Sequence, residues 1–495
     1  MRHAGALRNF ASTLRELARR GHQVHLAFAM RDEESERGVL QALVADCPSI
    51  THERVKMQPH RWSALARTVR SAADYARYRQ PEFAAARPLR KRASRHVSPW
   101  LQQRIDRRAV ASPDGIASLM RLRARLEQTL PVDPRIRRFV AGVNPDVVLV
   151  TPLIDLASDQ VEYVKAARAL GIPSGLCVHS WDNLTNKGLI HVAPDRVFVW
   201  NAVQQREAVT FHGIEPAHVV ATGAPVFDSW FARKPSTTRA EFCAKVGLPA
   251  ERPIVLYLCS SRFIAATEAD FIVKWITAIR SAHDARVRDA GLLIRPHPNT
   301  ILNPPQQAAW RDVAGVTVWP PQGGNPVDAG SKADFFDSMY HASAAVGINT
   351  TAQIEAGIVG RPVYSIRARE FEATQEGSLH FHYLLKECGG LVRLDDSLDA
   401  HVRSLAAALD GGDAGATHLR RFVEGFVRPR GWNTPATEVL ADEIEALARA
   451  TEPRQRPTAA ERLRARLVRL ALYPAAIAAA RITPARRGSR ESAER

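Results

Sequence analysis

Short apolar runs alternate along most of the chain with stretches of helical periodicity. In the first half the apolar runs cover residues 23–30, 145–152, 172–179, 195–201 and 218–223. In the second half they cover residues 253–261, 291–298, 315–320, 343–349 and 361–366. Helical patterns between the runs predict parallel strands joined by right-handed crossovers. We therefore predict an α/β fold with two Rossmann-like, doubly wound domains facing a cleft, where ligands lie outside the carboxyl ends of the strands.

The polar stretch ARKPSTTRAEF (232–242) separates the two series of strands. We place the N-terminal domain in residues 1–231, with a basic, helix-like insertion at about 60–140. The C-terminal domain is expected in residues 232–435, followed by helices and a basic amphipathic tail in 436–495.

The first 22 residues show the pattern of an amphipathic helix, with Leu7, Phe10, Leu14 and Leu17 at helical spacing. They lack the apolar core of a signal peptide, and no run of about 18 apolar residues predicts a transmembrane helix. HAG (3–5) is typical of a first strand-to-helix turn, yet only two residues precede it. We expect either a start codon farther upstream or a sheet without its first strand.

Composition and cysteine spacing are those of an ordinary globular protein, with 45% hydrophobic and 24% charged residues. The five cysteines lie far apart and form no CxxC, which argues against a disulfide framework and a zinc site, and favours a reducing cytoplasm. No metal site is predicted.

The net charge of +17 is concentrated in two windows. Residues 66–110 hold 12 basic and 3 acidic residues, and residues 451–495 hold 11 and 4. One interpretation is solvated surface; the other is attraction to an anionic membrane. In the tail, Leu463, Leu467, Leu470 and Leu472 stand among arginines, as in an interfacial helix. Nucleic acid is not expected as a partner, because neither window contains a recognised nucleic-acid-binding module.

The stretch GINTTAQIEAGIVGRPV (347–363) predicts a strand, a glycine turn and a helix with a polar start. A helix N-terminus at a strand end suits a phosphate. Gly347 would let the backbone approach the ligand, and Asn349, Thr350 and Thr351 would donate hydrogen bonds. The alternative is a capping box of Thr350 with Gln353, without a ligand. Capping leaves Glu355 unexplained, and this carboxylate suits the two hydroxyls of a ribose.

Three further strand ends carry candidate chemistry. In LIRPHPN (293–299), Arg295 and His297 suit a pyrophosphate leaving group, although an ordinary loop histidine and arginine are the alternative. In VHSWDNLTNKGLI (178–190), Asp182 is a possible base and Lys187 a possible partner for phosphate; an Asx turn is the alternative.

The third strand end is REFEATQEGSLHFHYL (369–384), where Thr374, Gln375 and His380 are candidates for contact with a sugar or base. No Walker loop, HExxH, GxSxG or paired Cys/His cluster occurs.

These motifs resemble those of the GT-B-fold glycosyltransferases and the related non-hydrolysing UDP-N-acetylglucosamine 2-epimerases. GINTTAQIEAGIVGRPV is similar to their donor-site strand and helix, and HAGALRNFASTLRELARRGHQVHLAF to their opening glycine-rich turn, which brings Gly5 into the nucleotide-binding set. The paired carboxylates and the His-Glu-Ala-Gly element of the epimerases are missing from residues 178–190.

The chain also resembles the CDP-glycerol glycerophosphotransferases, or teichoic acid polymerases. Their Trp-His pair precedes a lysine at the spacing of Trp181 and Lys187, and Asp182 stands where their catalytic histidine does. Their Arg-x-His-Pro element, which contacts donor phosphates, is similar to RPHP here. The resemblance covers roughly residues 3–30 and 145–445.

The resemblance implies a metal-independent, inverting glycosyltransferase with Asp182 as base and no cofactor beyond its nucleotide-sugar donor. It would act on a lipid-linked or glycan acceptor at the inner face of the cell membrane, building surface polysaccharide or glycolipid. The alternatives are a CDP-alditol phosphotransferase, an epimerase-like enzyme, or a non-catalytic cleft protein in an assembly complex.

Overall fold

The structure is a computed structural model. It describes residues 1–29, 34–56, 59–111, 114–298, 310, 313–321, 323–410, 416–450 and 459–482. The chain forms two compact units. Unit 1 comprises Met1–Val226 and the described residues from Arg428 onward, and unit 2 comprises Phe227–Val427.

Unit 1 contains a four-stranded parallel sheet in the order β3-β4-β5-β6 and a separate parallel pair, β1-β2. The strands are β1 (Val24–Phe28), β2 (Ile50–Arg54), β3 (Val148–Val150), β4 (Ser174–Cys177), β5 (Arg196–Val199) and β6 (Val219–Ala221). Leu26 and Phe28 of β1 share a core with Cys177 of β4 and Phe198 of β5, although β1 and β3 are not hydrogen-bonded as strands.

The first two residues lie beside the end of β1. The amino group of Met1 donates to the carbonyl of Ala27 at 2.8 Å, and the N–H of Ala29 lies 3.3 Å from the carbonyl of Met1 and 3.2 Å from that of Arg2.

The helices of unit 1 flank the strands or form the insertion between β2 and β3. They are α1 (Ala11–Arg19), α2 (Glu34–Asp46), α3 (Ser63–Arg77), α4 (Arg87–Ser94), α5 (Pro99–Ala111), α6 (Gly115–Thr129), α7 (Pro134–Val143), α8 (Val161–Leu170), α9 (Asn183–Asn186) and α10 (Ala202–His212). Two C-terminal helices, which we label α20 (Ala436–Arg449) and α21 (Ala459–Ile482), also belong to this unit. Leu440 and Ile444 of α20 pack in the core that contains Leu14 of α1.

Unit 2 is built on a six-stranded parallel sheet in the order β12-β11-β10-β7-β8-β9. Its strands are β7 (Ile254–Leu258), β8 (Gly291–Arg295), β9 (Val316–Val318), β10 (Ala344–Gly347), β11 (Val363–Ile366) and β12 (Val392–Asp395). The sheet is therefore doubly wound: the chain runs from β7 outward to β9, returns to β10 beside β7, and runs outward to β12 on the other side. The winding direction reverses between β7 and β10, which is where ligands bind in such sheets.

The helices of unit 2 cover both faces of this sheet. They are α11 (Asp228–Ala232), α12 (Arg239–Val246), α13 (Glu268–Arg280), α14 (Ala285–Arg288), α15 (Ala329–Tyr340), α16 (Ala352–Ile358), α17 (Leu379–Lys386), α18 (Leu398–Leu409) and α19 (Ala416–Phe426). β7, β8, β10 and β11 are buried along their whole length, as expected for a parallel sheet covered on both faces.

The predicted fold class is confirmed, and each predicted apolar run contains a strand. The prediction missed β2 and β12, which lie at sheet edges. Only Ile50 is buried in β2, and β12 carries the exposed Arg393 between apolar residues. Such strands lack the apolar content that marks a buried strand in a sequence.

Candidate functional site

The carboxyl ends of β7 and β10 meet at the reversal point of unit 2. Ser260, which follows β7, accepts a hydrogen bond at its Oγ from the backbone N–H of Asn349, which follows β10, at 3.2 Å. Both residues are buried. This bond joins the end of β7 to the end of β10, where the sequence predicts the nucleotide site.

The segment after β10 is organised by one amide. Gln353 Oε1 accepts from the N–H of Thr350 at 3.1 Å, and its Nε2 donates to the carbonyl of Gly347 at 3.0 Å. The predicted capping box is therefore only half formed, because the helix has Thr351 as its N-cap and no side-chain cap bond. Thr351 is exposed, and Thr350 and Glu355 are half-buried, so these three side chains reach the surface of the unit.

The packing of the sheet gives Gly347 a role of its own, and the approach of a ligand to it stays a prediction. A Cβ on this residue would lie 2.9 Å from the carbonyl oxygen of Leu258, its partner residue on β7. Gly347 is needed because the neighbouring strand lies close, and it sits inside the sheet. Its glycine is explained without the approach of a ligand.

Three residues predicted as ligand contacts form hydrogen bonds inside the unit, and their contact with a ligand stays a prediction. The Nδ2 of Asn349 donates to the carbonyl of Thr374 at 3.2 Å and lies 3.3 Å from His380 Nε2. Gln375 is fully buried, and its Nε2 donates to the carbonyls of Ile348 at 3.2 Å and Ile366 at 3.0 Å. Asn349, Gln375 and His380 thus hold the loop after β11 against the end of β10.

Arg295 ends β8 as a buried cation. It is 6% exposed, its Nη1 donates to Ser338 Oγ at 3.0 Å, and its guanidinium lies 4.5 Å from the centre of the Phe335 ring. Burial lowers the pKa of Arg295 to about 10, against the opposing effect of Asp334 and Glu355, so the side chain stays charged at neutral pH. Within the described residues it forms no ion pair with a carboxylate.

His297 follows the end of β8, and Glu268 begins the helix α13 that follows β7. The backbone of His297 hydrogen-bonds the buried thiol of Cys259. Glu268, the first residue of α13, accepts from the N–H of Ser260 at 2.8 Å and from the hydroxyl of Tyr257 at 3.3 Å. Burial raises the pKa of Glu268 to about 8. No sequence pattern marks Glu268, because a helix-opening glutamate is normally exposed.

Unit 1 gathers a second group of charged side chains at the ends of β3 and β4. Lys187 Nζ lies 3.8 Å from Asp155 Oδ1, and Arg2 Nη1 donates to Asp155 Oδ2 at 2.9 Å. Burial alone would raise the pKa of Asp155, but Lys187 and Arg2 lower it overall, so the carboxylate is ionised. Burial, with Lys187, lowers the pKa of His179 to about 4, so its imidazole is neutral.

Asp182 lies on the same loop as His179 and is half-buried. Its Oδ1 accepts from Ser180 Oγ at 2.6 Å, and its Oδ2 lies 3.3 Å from Asn186 Nδ2. This bonding joins Asp182 to other side chains and differs from the Asx turn given as the alternative, since Asp182 is the N-cap of α9 without a side-chain bond to the helix backbone. It orients the carboxylate and is compatible with a catalytic role.

Two charged residues on the buried face of α3 hold the loops that carry Asp155, Asp182 and Lys187. Asp74 accepts from the N–H of Ala157 and from the N–H of Leu189, each at 2.7 Å. It thereby joins the loop after β3 to the loop after β4. A Cβ on Gly188 would lie 3.0 Å from the Asp74 carboxylate, so the loop fits closely against α3.

Arg77 completes this attachment from the next turn of α3. Its guanidinium donates to the carbonyls of Leu184, of Lys187 at 3.1 Å and of Gly188 at 3.0 Å. The hydroxyl of Tyr78 also donates to the carbonyl of Lys187, at 2.6 Å. The insertion, predicted only as a basic surface, is thus also a support for the second polar group.

Gly5 lies in unit 1, within the 3₁₀ segment Ala4–Asn9, and Gly347 lies in unit 2. Sequence reasoning missed Arg2, Asp74, Arg77, Asp155 and His179. Asp155 and His179 follow the ends of predicted strands, so the rule that selected Asp182 also applies to them. Arg2, Asp74 and Arg77 depend on contacts between distant segments and carry no local signal.

No family model matches the chain, and no curated protein matches it in sequence. Solved structures match it in fold. The UDP-GlcNAc 2-epimerase from Neisseria meningitidis bound to UDP-GlcNAc is similar over 90% of this chain and 100% of its own, with a TM-score of 0.50 and 14% identity.

A glycosyltransferase from Rickettsia africae is similar over 90% of this chain and 95% of its own, with a TM-score of 0.50 and 10% identity. A variant of the wall teichoic acid polymerase TagF covers 51% of this chain and 58% of its own, with 13% identity, and its TM-score of 0.33 is too low to carry an argument. The doubly wound sheet of unit 2, the parallel sheets of unit 1 and these similarities agree. The chain therefore has the GT-B fold, with two Rossmann-like units.

Proposed function

We propose that the protein is a glycosyltransferase that uses a nucleotide-activated sugar to build a surface polysaccharide or glycolipid. The observation that carries the proposal is Arg295, a buried guanidinium at the end of β8 with no carboxylate ion pair in the described residues. A buried charge without an ionic partner is costly, and an anionic ligand would offset that cost. A diphosphate is the anion that suits a strand end of a doubly wound sheet.

In this proposal unit 2 binds the donor. Arg295, Thr350 and Thr351 would contact the diphosphate, with His297 nearby, and Glu355 would accept hydrogen bonds from the ribose. α16 has only seven residues, so the side chains and the guanidinium carry this assignment. The meningococcal epimerase of the same fold was solved with UDP-GlcNAc, which supports a nucleoside diphosphate sugar as the donor class.

Unit 1 would activate the acceptor. Asp182 would take the proton of the acceptor hydroxyl while the acceptor oxygen forms a bond to the anomeric carbon. The bond from that carbon to the diphosphate oxygen breaks, and its electron pair leaves with the nucleoside diphosphate. Arg295 would stabilise the charge that develops on this leaving group, and donors of this kind contribute about 10²–10³ in kcat. Lys187, near Asp155, would balance negative charge on the acceptor side.

A nucleotide screen tests the donor site. We expect one of the UDP-, GDP-, CDP- or TDP-sugars to raise the melting temperature of the wild-type protein, and Arg295→Met to abolish that rise. The matched control is Arg361→Met, since Arg361 also lies over an aromatic ring, Tyr340, at 5.5 Å, but precedes β11 instead of ending a strand. If no nucleotide stabilises the wild type, the enzyme proposal fails.

The released nucleotide then identifies the reaction. Glycosyl transfer releases a nucleoside diphosphate, alditol phosphate transfer releases a nucleoside monophosphate, and epimerisation leaves the nucleotide attached to an isomeric sugar. We expect the diphosphate. Release of CMP, or an epimer without release, would replace the proposal with the corresponding alternative. Nucleotide binding with no turnover on any lipid-linked or glycan acceptor would favour a binding protein.

A further inference from the structure

The C-terminal helix α21 is attached to the insertion by one face. Ala476 is fully buried in a cluster with Trp62, Ala66 and Leu130, and the partly buried Leu472 packs against this cluster. Arg469 Nε donates to the carbonyl of Thr129 at 2.5 Å. The helix is therefore attached to unit 1, and these contacts define which of its faces points away from the insertion.

That opposite face is apolar and exposed. Its exposed fractions are 59% for Leu463, 59% for Leu467, 72% for Leu470 and 37% for Ile477. Separations of four, three and seven residues place them along one side of the helix, whereas the ring of Tyr473 lies beside Trp62 on the attached side, with 6.1 Å between the ring centroids. A contiguous exposed apolar stripe of this kind marks an interaction site, whereas single exposed leucines need no explanation.

The charges beside the stripe identify its partner. Arg464 and Arg466 are exposed and alternate with the first leucines, and Arg481 lies exposed at the other end. A second copy of the chain would bring arginines against arginines, so self-association is disfavoured by charge. A bilayer with anionic headgroups offers both an apolar interior for the leucines and negative charge for the arginines.

The length of the helix suits binding along a surface. α21 has 24 residues, which span about 36 Å. None of the helices in the described parts of the chain has the length and hydrophobicity needed to cross a bilayer. We propose that the stripe Leu463–Leu467–Leu470–Ile477 inserts into the interface of an anionic membrane, with α21 parallel to the surface and unit 1 held above it. This surface is independent of the proposed transfer reaction.

Vesicle co-sedimentation of the full chain tests the proposal. We expect binding to vesicles of phosphatidylglycerol and phosphatidylcholine, and much weaker binding to phosphatidylcholine alone. The double variant Leu467→Ser/Leu470→Ser should bind the anionic vesicles at least about tenfold more weakly, since two large apolar side chains are lost. The matched control is Leu122→Ser, because Leu122 is 49% exposed in the same unit but lies on α6.

A charge variant separates the two contributions. Arg464→Gln/Arg466→Gln should weaken binding by about fivefold for each arginine and reduce its dependence on salt. A Leu470→Trp variant should show a blue shift of the new tryptophan's emission on anionic vesicles only. Circular dichroism and melting temperature confirm that each variant is folded.

Three results would overturn the proposal: no binding of the wild type to anionic vesicles, equal losses in the leucine variant and the Leu122 control, or a stable dimer that the leucine variant dissociates. The last result would assign the stripe to a second copy. Because the readout is lipid binding, these results are independent of whether any nucleotide-sugar is turned over.

Discussion

At the scale of single residues, Glu268 is a carboxyl group kept away from water in the middle of unit 2. Within the described residues its hydrogen-bond partners are neutral groups, the N–H and the hydroxyl of Ser260 and the hydroxyl of Tyr257. Such partners favour the ionised form less than burial disfavours it, so the folded state binds a proton more tightly than the unfolded state does. By accepting from the N–H of Ser260, Glu268 Oε2 also holds the end of β7, where Ser260 Oγ accepts from the N–H of Asn349.

This gives a pH dependence of stability with a definite sign. The pKa of Glu268 is raised from 4.5 in the unfolded chain to about 8 in the folded protein. Its contribution to stability is therefore fully present below pH 4.5 and is lost as the pH rises towards 8. We expect the free energy of unfolding of Glu268→Gln, measured with urea from pH 5 to 8.5, to lack this decrease. Glu372→Gln, at an exposed position, is the control, and a decrease equal in both variants would contradict the assignment.

Asp182, Asp155 and His179 are three proton acceptors within one unit, and the proposed mechanism selects the first. Asn at position 182 keeps an acceptor oxygen for Ser180 but is no base, so Asp182→Asn should lower kcat by about 10²–10⁴ while the donor still raises the melting temperature. The same assay on Asp155→Asn and His179→Gln is the comparison. Normal turnover of Asp182→Asn with loss in His179→Gln would move the base to His179.

At the scale of elements, α3 has charged side chains on its buried side, where a helix normally has apolar ones. Its buried side contains Arg70, Asp74 and Arg77, all at most 1% exposed. Arg70 is paired with Glu127 and Glu162, and Asp74 and Arg77 bind backbone groups of the loops around Asp155 and Lys187. The basic insertion therefore has two kinds of charge, and only the outer kind is available to a membrane.

Removing one of these buried charges should act on the loops. In Arg77→Met three carbonyl groups lose a donor, but that of Lys187 keeps the Tyr78 hydroxyl and that of Leu184 keeps His212 Nε2, so the Gly188 carbonyl is the one left unsatisfied. A buried unsatisfied group costs about 1–3 kcal/mol, and we expect a fall of that size in the free energy of unfolding of the protein. Arg67→Met on the same helix is the control. Arg67 is 43% exposed, and its ion pair with Asp159, at 3.6 Å, lies at the surface. A loss in Arg67→Met as large as that in Arg77→Met would refute the support role of Arg77.

At the scale of the whole molecule, the architecture follows from the sequence more directly than the candidate site does. Hydrophobic runs locate buried strands because a strand that is covered on both faces has apolar residues at most of its positions. The position where such a run ends can also be read from the sequence. Arg295, Asp182 and Lys187 could therefore be selected as polar residues near strand ends. The roles of Gly347 and Gln375 depend on Leu258 and Ile348, neighbours that only the folded sheet supplies, and both were predicted as ligand contacts. The insertion was predicted as surface because a buried arginine cannot be distinguished from an exposed one by its sequence.

The proposed reaction relies on protein cations, so the whole enzyme should not need a divalent metal. We expect turnover after dialysis against EDTA to stay within about twofold of the untreated enzyme. If a metal were required, its removal should lower the rate at least as much as the loss of one preorganised donor does, about 10²–10³. Addition of Mg²⁺ to the dialysed enzyme is the control. Recovery of a lost activity by Mg²⁺ would show that the cation is part of the reaction.

Unit 1 is discontinuous in the chain, and this has a consequence for synthesis. Leu440 and Ile444 of α20 share a core with Leu14, Leu17 and Leu26, which leave the ribosome more than 400 residues earlier. At about 5–20 residues per second, that core waits roughly 20–80 s for its last helix, while unit 2 can fold as an uninterrupted segment. Nascent chains that end before residue 436 therefore expose the leucines that α20 will cover, and these leucines offer a chaperone an apolar binding site during translation.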